Sequence, residues 1–399
     1  MRTYPILTLA AALLLSGSAG AQVTVLRNAT LIDGSGAAPQ SNITIVMENG
    51  RIRDIGAGAA PPSGASVVDL AGKFVVPGII NGHGHVGPAP RDRQLRQYAL
   101  YGVTTTTSMA ADPDDIAEYK ARQEAGDLRG ARILTVKYRF TTLASGGYDY
   151  KTPAAARGKV DEIVAKGADF IKVWIDAQGG REPKLSREFV AAVFDQARRH
   201  GKLTMAHIVE LADARMAVEE GVNLLVHNVR DRDIPPDFLA MLKARDVSVI
   251  STLAREEGMF RAGGGAGLGK KLETLANDPA RASLMRAFEQ DKANVKKLLD
   301  AGVRLGFGTD SGGAAERYFI QGFFEHRQME LLVAAGLTPM QVIQSFSKSN
   351  AEALGIVKDF GTLAKGKAAD LLVLARNPLD DIANMRAIEA VYLGGEKFE

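Results

Sequence analysis

Short runs of apolar or β-branched residues alternate with segments of helical periodicity through the middle of the chain. The runs fall at residues 75–82, 103–108, 131–137, 169–175, 202–207, 223–227, 247–252 and 303–309. The segments between them, such as 187–200, 212–220 and 282–299, carry apolar residues at helical spacing. Because eight strands that alternate with helices can close on themselves, the pattern predicts an α/β fold of the (β/α)8 TIM-barrel type.

Both ends of the chain have a different pattern, with short alternating or apolar runs between Gly, Pro and Asn turns. Such runs occur at 23–27, 42–47, 51–55, 66–69 and 73–76, and again at 369–374 and 387–393. A length of 399 residues with 46% hydrophobic residues exceeds what one domain usually contains. We therefore expect a small β-sandwich domain built from residues 22–76 and 361–399, with the barrel at 77–360 between them.

The first 21 residues have the pattern of a secretory signal peptide. Arg2 supplies the positive start, residues 5–15 an apolar core, and residues 19–21 small side chains before a cleavage site at Ala21/Gln22. This segment predicts an exported protein, periplasmic or secreted. No later run is long enough to cross a bilayer, so we expect no stable membrane insertion after cleavage. The chain has no cysteine, which excludes disulfides and thiolate metal ligands.

The charge of the chain argues against a nucleic-acid partner. The formal net charge is +3, and the basic residues are dispersed rather than clustered on one segment. A small-molecule substrate is the expected partner. The sequence leaves the oligomeric state open, and a homo-oligomer is compatible with it.

Polar residues follow or end several of the predicted barrel strands. They are His83, His85, Lys172, His207, His227 and Asp310. Because the carboxyl ends of barrel strands meet at one opening, ligands far apart in sequence can converge there. The set suggests a site for two metal ions.

The first two of these residues form a His-x-His pair. Two histidines separated by one residue on an extended strand point to the same side, so His83 and His85 can reach one ion. A pair of this kind also occurs by chance or for packing. Its position after the Pro77-Gly78 strand entry favours the metal site.

Lys172 is flanked on both sides by apolar residues, so it must point into the barrel or break the strand pattern. Burial of an ammonium group is costly and lowers its pKa. A neutral amine can add carbon dioxide to form a carbamate, an anionic group suited to bridging two cations. The alternative is a lysine whose amine extends to the barrel mouth.

His207, His227 and Asp310 each end or follow a strand. A carboxylate at Asp310 could ligate a metal and also accept the proton of an attacking water. The alternatives are core histidines and an aspartate in a turn before Ser311. His200 and His326 lie on predicted helices, and we expect them to be structural. The Gly-rich segment 262–269 is either an active-site lid or a surface loop.

These residues together resemble the amidohydrolase superfamily. The His-x-His after a Pro-Gly strand, the lysine of the fourth strand, two single histidines and Gly308-Thr309-Asp310 occur in the family's order. Residues 26–34, 361–371 and 377–382 resemble its flanking segments. Residues 167–173 and 334–339 are similar to the imidazolonepropionase-like and Xaa-Pro dipeptidase group.

The resemblance implies a ligand set and a reaction. His83, His85 and Asp310 would hold one divalent ion and His207 and His227 a second, with Lys172 as a bridging N6-carboxylysine. A metal-bridging hydroxide would attack an amide carbonyl of a small carboxylate-bearing substrate, such as a dipeptide or N-acyl amino acid, with Asp310 as general base and acid. Zinc suits these ligands, as do manganese, cobalt and iron.

The sequence departs from the family around this ligand set. Asn81 stands where relatives usually carry an acidic residue, Asn228 where they carry glycine, and Tyr148 where many carry histidine. Tyr148 is therefore a candidate for substrate binding. Tyr138 and Arg139 follow the third strand and Arg230 follows the sixth, so these three are further candidates, the arginines for a substrate carboxylate.

Two other readings of the chain stay open. The same ligands would serve a deaminase, a lactonase or a carbamate hydrolase, which differ from an amidase in their loops. A non-catalytic exported binding protein could also retain the fold, although it would have no need of the complete ligand set.

Overall fold

The computed structural model describes residues 23–87, 90–142, 152–177, 183–261, 279–312 and 320–399. The predicted signal peptide, Tyr148 and the Gly-rich segment 262–269 lie outside these residues. The chain has an α/β fold with parallel sheets. None of the helices in the described ranges has the length and hydrophobicity needed to span a bilayer.

The strands, numbered in chain order, are as follows. They are β1 Thr24–Leu31, β2 Gln40–Glu48, β3 Arg51–Gly56, β4 Ser66–Asp69, β5 Phe74–Pro77, β6 Ile79–Asn81, β7 Gly84–His85, β8 Val103–Ser108, β9 Arg132–Thr135, β10 Arg139–Phe140, β11 Phe170–Trp174, β12 Leu203–His207, β13 Leu224–Val226, β14 Ser248–Ser251, β15 Leu305–Phe307, β16 Ser311–Gly312, β17 Leu371–Leu374, β18 Ile388–Leu393 and β19 Glu396–Lys397.

The helices separate most of the parallel strands. They are α1 Arg91–Leu100, α2 Ile116–Glu124, α3 Pro153–Ala165, α4 Arg187–Arg199, α5 Leu211–Glu219, α6 Pro236–Ala244, α7 Leu253–Arg261, α8 Pro279–Asp300, α9 Phe323–Ala334, α10 Pro339–Gln344 and α11 Asn350–Ala353, with a π-helix at Ser345–Ser349 and a 3₁₀ helix at Ile382–Arg386.

The two chain ends share one eight-stranded sheet. Its order is β19-β18-β17-β5-β1-β2-β3, and β4 pairs with β1. Strands β17 and β5 are antiparallel, with Leu371 opposite Pro77, which joins the C-terminal segment to the N-terminal one. One face of this sheet has its own apolar core, which includes Leu26, Ile45 and Leu371. The prediction that the ends of the chain pack together is confirmed.

The remaining strands form parallel sheets. Strands β10 to β15 pair in sequence order, β6-β8-β9 form a second sheet, and β16 pairs with β7. Backbone hydrogen bonds connect these sheets at both sides. Asp169 N donates to Thr135 O at 2.8 Å, and Gly82 N donates to Phe307 O at 2.9 Å. The predicted parallel strands are therefore present, with ends that differ from the prediction by a few residues.

The predicted first barrel strand, 75–82, is wrong in one respect because it is two strands. β5 belongs to the sheet of the chain ends, and β6 belongs to the parallel sheet. Pro77 lacks the N–H that a continuing strand would use. A Cβ on Gly78 would lie 2.3 Å from Thr104 Oγ1, so only glycine permits the close approach at this crossing.

The connections between parallel strands follow ordinary helix-capping rules, as α4 shows. The Ser186 hydroxyl accepts a hydrogen bond from Phe189 N at 3.3 Å and caps the start of this helix. Gly201, with a φ of 64°, follows its end. Helix α4 thus leads from β11, which carries Lys172, back to β12, which carries His207.

Candidate metal centre

The turn after β6 and the turn after β15 lie side by side and carry three of the predicted ligands. Thr309 N and Asp310 N both donate to the carbonyl of His83, at 3.0 and 2.7 Å. Asp310 has a φ of 54°, a left-handed conformation that turns its side chain back toward the histidines. The backbone of the last parallel strand therefore holds Asp310 against the His-x-His pair.

The side chains of these three residues converge on one point. The Oδ1 atom of Asp310 lies 2.7 Å from His85 Nε2 and 3.4 Å from His83 Nε2. One candidate ligand atom from each residue lies within 4.8 Å of the others. Two imidazoles and a carboxylate at this spacing can ligate one divalent ion.

Lys172 lies beside this group, inside the parallel sheet. Its side chain is 2% exposed, and its Nζ atom is 3.3 Å from His83 Nε2. Burial, assisted by the charges of Arg139 and Arg255, lowers the pKa of the Lys172 ammonium to about 7. The lysine points inward, as predicted, and a large part of it is neutral near neutral pH.

His207 and His227 complete the cluster. Their ring centres are 4.5 Å apart, and the ring of His227 is 4.6 Å from that of His83. His227 Nδ1 hydrogen-bonds to Thr252 Oγ1 at 2.6 Å, which leaves Nε2 facing Asp310 Oδ2 at 3.9 Å. His207 stacks on Trp174 with the ring centres 4.1 Å apart. The structure thus brings together all the ligands predicted from strand ends.

Several donor atoms in this cluster suit a cation. His207 Nε2 and His227 Nε2 are buried and have no hydrogen-bond partner among the described residues, and His83 Nε2 faces Asp310 and Lys172. Burial lowers the pKa of His83 to about 3 and that of His207 to about 4, and holds that of His227 well below its usual value. Neutral imidazoles with free lone pairs are the form that binds metals, so the residues fit divalent ions.

Sequence reasoning missed an arginine at this site. Arg255, near the start of α7, forms an ion pair through Nε with Asp310 Oδ2, and its Nη1 donates to Glu256 Oε1 at 2.9 Å. Although burial favours the neutral carboxyl, the charge of Arg255 holds the pKa of Asp310 well below its usual value. Its position in the sequence could have identified it. Arg255 follows β14, so it lies at the carboxyl ends of the parallel strands, where the predicted ligands also lie.

A buried glutamate connects the two ligand-bearing turns. Glu325 Oε1 accepts hydrogen bonds from Asn81 Nδ2 at 2.6 Å, Thr309 Oγ1 at 2.8 Å and Ser311 Oγ at 2.7 Å. Asn81 Oδ1 in turn accepts a hydrogen bond from His83 N at 3.0 Å. Asn81, which departs from the family pattern, therefore still orients the His-x-His turn. It also bonds to the same glutamate, Glu325, as Thr309 and Ser311 on either side of Asp310.

We expect Glu325→Ala to lower divalent-metal affinity about 10- to 100-fold, the usual cost of losing a group that orients ligands. Four donors, including Gly322 N, would lose their shared acceptor. Competition against a chelator of known affinity measures the change. Glu325→Gln keeps Oε1 and should lose less, and unchanged affinity in the alanine variant would refute the orienting role.

The candidate substrate-binding residues that the structure describes differ in their contacts. Arg139 lies over the ring of Trp174, with Cζ 4.9 Å from the ring centre, and Tyr138 packs under Lys159. Arg230 lies 3.3 Å from Glu256 Oε1, with only 12% of its side chain exposed. Tyr148 lies outside the described residues.

The remaining histidines lie outside the cluster, as predicted. His200 caps the end of α4, and its Nε2 bonds to Asp161 at 2.6 Å. His326 Nε2 donates to the carbonyl of Tyr101 at 3.0 Å. Both contacts are structural.

A second buried acid lies behind the cluster, on α8. Asp291 is fully buried, and its Oδ1 accepts a hydrogen bond from Asn228 Nδ2. Burial and the charge of Glu256 raise the pKa of Asp291 from 3.8 to about 7. The folded protein therefore binds this proton more tightly than the unfolded chain does. Its stabilising effect is complete below pH 3.8 and is lost as the pH rises through about 7.

Asp291→Asn should remove this pH dependence, since an amide cannot ionise. Between pH 5 and the folded-state pKa of about 7 the loss accrues at about 1.36 kcal/mol per pH unit, so from pH 5 to pH 8 we expect the wild type to lose about 2.7 kcal/mol of unfolding free energy more than the variant does. Urea unfolding of both proteins at the two pH values measures the difference. Parallel curves for the two proteins would contradict the assignment.

Known proteins are similar to this chain in sequence. An ochratoxinase from Aspergillus niger is 25% identical over 277 residues, which cover 63% of this chain and 52% of the relative, so the chain spans about half the length of that protein. The imidazolonepropionase of Deinococcus radiodurans is 26% identical over 385 residues, 88% of this chain and 90% of the relative.

A solved structure shares the fold. The crystal structure of a Xaa-Pro dipeptidase with methionine bound in its active site superposes with a TM-score of 0.80 at 22% identity, and the match covers 95% of this chain and 100% of that one. The family model described as "Amidohydrolase family" matches residues 74–397, which include every predicted ligand. The chain belongs to the amidohydrolase family.

Proposed function

We propose that this protein is a metal-dependent hydrolase of amide bonds in small carboxylate-bearing substrates. The observation that carries the proposal is the convergence of His83, His85 and Asp310 on one point, with buried Lys172 3.3 Å from His83. The names of the relatives, an ochratoxinase and a dipeptidase among them, are compatible with hydrolysis of a C–N bond. We propose this amide hydrolysis and these substrates for the whole protein.

The architecture that we propose is a single (β/α)8 barrel at residues 77–360, beside a small β-sandwich domain formed by residues 22–76 and 361–399. Backbone bonds between the parallel sheets at both sides support closure. A shared interior core supports it too, since Ile80, Leu134 and Ile250 come from different sheets and pack in one cluster. The eight-stranded sheet of the chain ends would be the main part of the smaller domain.

The ligand assignment that we propose uses the whole cluster. His83, His85 and Asp310 would hold one divalent ion and His207 and His227 another, with carboxylated Lys172 between them and zinc as the metal. Bound divalent ions would polarise the scissile carbonyl and make a water molecule acidic enough to attack it. Carboxylation forms a bond between Nζ and the carbon of CO₂ and releases one proton, and the lowered pKa of Lys172 supplies the neutral amine that this needs.

The protein's own groups would perform the proton transfers. Asp310 is ionised because Arg255 and the histidines surround it, so it can accept a proton from the attacking water. The same carboxyl can return that proton to the leaving amine as the C–N bond breaks. Arg139, Arg230, Tyr138 and Tyr148 are the residues that we propose to form the substrate-binding region, by contact with the substrate or by holding its neighbours in place.

Metal content and a substrate panel test the function together. The mature protein, purified without chelator and with bicarbonate, should contain about two divalent ions per chain, as a two-metal site requires. It should release amine from dipeptides and N-acyl amino acids, and metal removal should abolish this. One ion per chain with ammonia release from amino-purines would instead favour deamination, and no metal binding would favour a binding protein.

We also propose that the chain is exported after removal of residues 1–21. The sequence pattern of that segment supports this, with Arg2 before an apolar run and a small-residue cleavage site. N-terminal sequencing of the mature protein should find Gln22 first. An intact Met1 would refute processing.

A further inference from the structure

Arg255 occupies a central position beside the cluster. It lies near the start of α7, directly after β14, where strand ends meet. Its ion pair with Asp310 uses Nε, and its hydrogen bond to Glu256 uses Nη1. A guanidinium group has five N–H donors in a rigid planar fork, so these two contacts with described residues leave further donors for another acceptor.

A second arginine holds this arrangement in place. Glu256 is 5% exposed, and its Oε1 lies 2.9 Å from Arg255 Nη1 and 3.3 Å from Arg230 Nη1. One carboxylate thus serves two guanidinium groups and cannot neutralise both. With Asp310 committed to a cation, the group formed by Arg230, Glu256 and Arg255 would keep a net positive charge toward the site.

Arg255 is better placed than Arg230 to meet a substrate. Its side chain is 21% exposed, whereas that of Arg230 is 12% exposed, with a buried Nη1 that has no hydrogen-bond partner among the described residues. Arg139 lies instead over Trp174.

We propose that Arg255 binds the α-carboxylate of the substrate, with Glu256 and Arg230 as positioning residues; this rests on the proposed amide hydrolysis. Direct contact between Arg255 and Asp310 limits how far the bound anion can lie from the scissile bond. In an N-acyl amino acid the carboxylate carbon is two bonds from the amide nitrogen, which meets that limit. A carboxylate at the far end of a long side chain does not.

The test compares N-acetyl-L-leucine with N-acetyl-L-leucinamide, which differ only in the anion. Acetate release from each is measured with the metal-loaded wild type and with Arg255→Met, Arg255→Lys and the matched control Arg27→Met, since Arg27 pairs with Asp69 on the surface of the chain-end sheet. Because a hydrogen-bonded charge contributes about 1.5–3 kcal/mol, the preference of the wild type for the acid in kcat/KM should fall about 10- to 100-fold in Arg255→Met. Arg255→Lys should retain part of the preference, and Arg27→Met all of it.

The ratio of kcat/KM for the acid to kcat/KM for the amide distinguishes carboxylate binding from an effect of Arg255 on Asp310. Loss of the ion pair with Asp310 would slow the hydrolysis of both substrates equally. An unchanged ratio in a folded Arg255→Met protein would overturn the inference and leave the proposed hydrolysis intact. If the wild type hydrolyses neither compound, the panel of dipeptides and N-acyl amino acids decides the proposed function, and calorimetric binding of the same pair decides the role of Arg255. Selective binding of the acid that Arg255→Met loses would support it, and equal binding by both proteins would refute it.

Discussion

Asp310→Asn is expected to lower kcat for amide hydrolysis by about 10³-fold, within the range found when a general base is lost. An amide cannot accept the proton of the attacking water. It is also a weaker ligand than the carboxylate that lies 2.7 Å from His85 Nε2. The fold should survive, because Asn keeps the shape of Asp and its oxygen can still accept a hydrogen bond from Arg255.

Metal content measured on the same preparation distinguishes the two causes. If Asp310→Asn retains its ions and loses turnover, the carboxylate acts in proton transfer. If it loses ions in proportion to activity, ligation dominates. Asp359→Asn is a suitable control, since Asp359 pairs with Arg51 at 2.7 Å on the surface and should change nothing. Turnover within about tenfold of the wild type in Asp310→Asn would remove Asp310 from the chemistry.

The ligand cluster was predictable because each member breaks a local rule of its strand. Lys172 interrupts an apolar run, and His207 and His227 end consecutive strands. In parallel strands the carboxyl ends meet at one edge, so positions that look unrelated in sequence become neighbours. Sequence alone was enough to propose which side chains converge, and the structure brings them within contact distance.

The groups around the ligands could not be predicted in the same way. Arg255 belongs to the charged run Arg255-Glu256-Glu257, which resembles an exposed helix start. Its pairing with Asp310 depends on how β14 and β15 lie together in space. Glu325 lies on α9, well beyond the last parallel strand, and its partners come from distant turns. Such contacts leave no periodic signal in the sequence.

Prediction of the fold likewise succeeded for local patterns and failed where the path of the chain in space decides the structure. Alternation of short strands and helices predicted the order of β8, β9 and β11 to β15 because each of these elements has its own local pattern, whereas the two-residue strand β10 was not predicted. The first barrel strand was predicted to begin too early, because 75–82 overlaps the run 73–76 that was assigned to the smaller domain. Both halves of 75–82 are apolar, and only the path of the chain assigns them to different sheets. Pro77 and Gly78 were visible, but a Pro-Gly pair marks a strand entry as readily as a strand division.

Lys172→Ala should lower the metal content of the protein from about two divalent ions per chain to one or fewer, because a two-metal site needs an anionic bridge. Activity should fall with it. The folded protein should persist, since the change removes a buried amine whose charged form is disfavoured, as its pKa of about 7 indicates. Elemental analysis after purification with bicarbonate measures the ions, and thermal unfolding checks the fold.

Two comparisons make this experiment specific for carboxylation. Lys172→Met fills the same space without an anion and should lose metal as Lys172→Ala does. Propionate added to Lys172→Ala can enter the space left by the side chain and supply a carboxylate, so it should restore part of the metal content, whereas Lys172→Met should not respond. Two ions per chain in both variants would show that the bridge is dispensable, because neither alanine nor methionine can provide an anionic ligand beside His83.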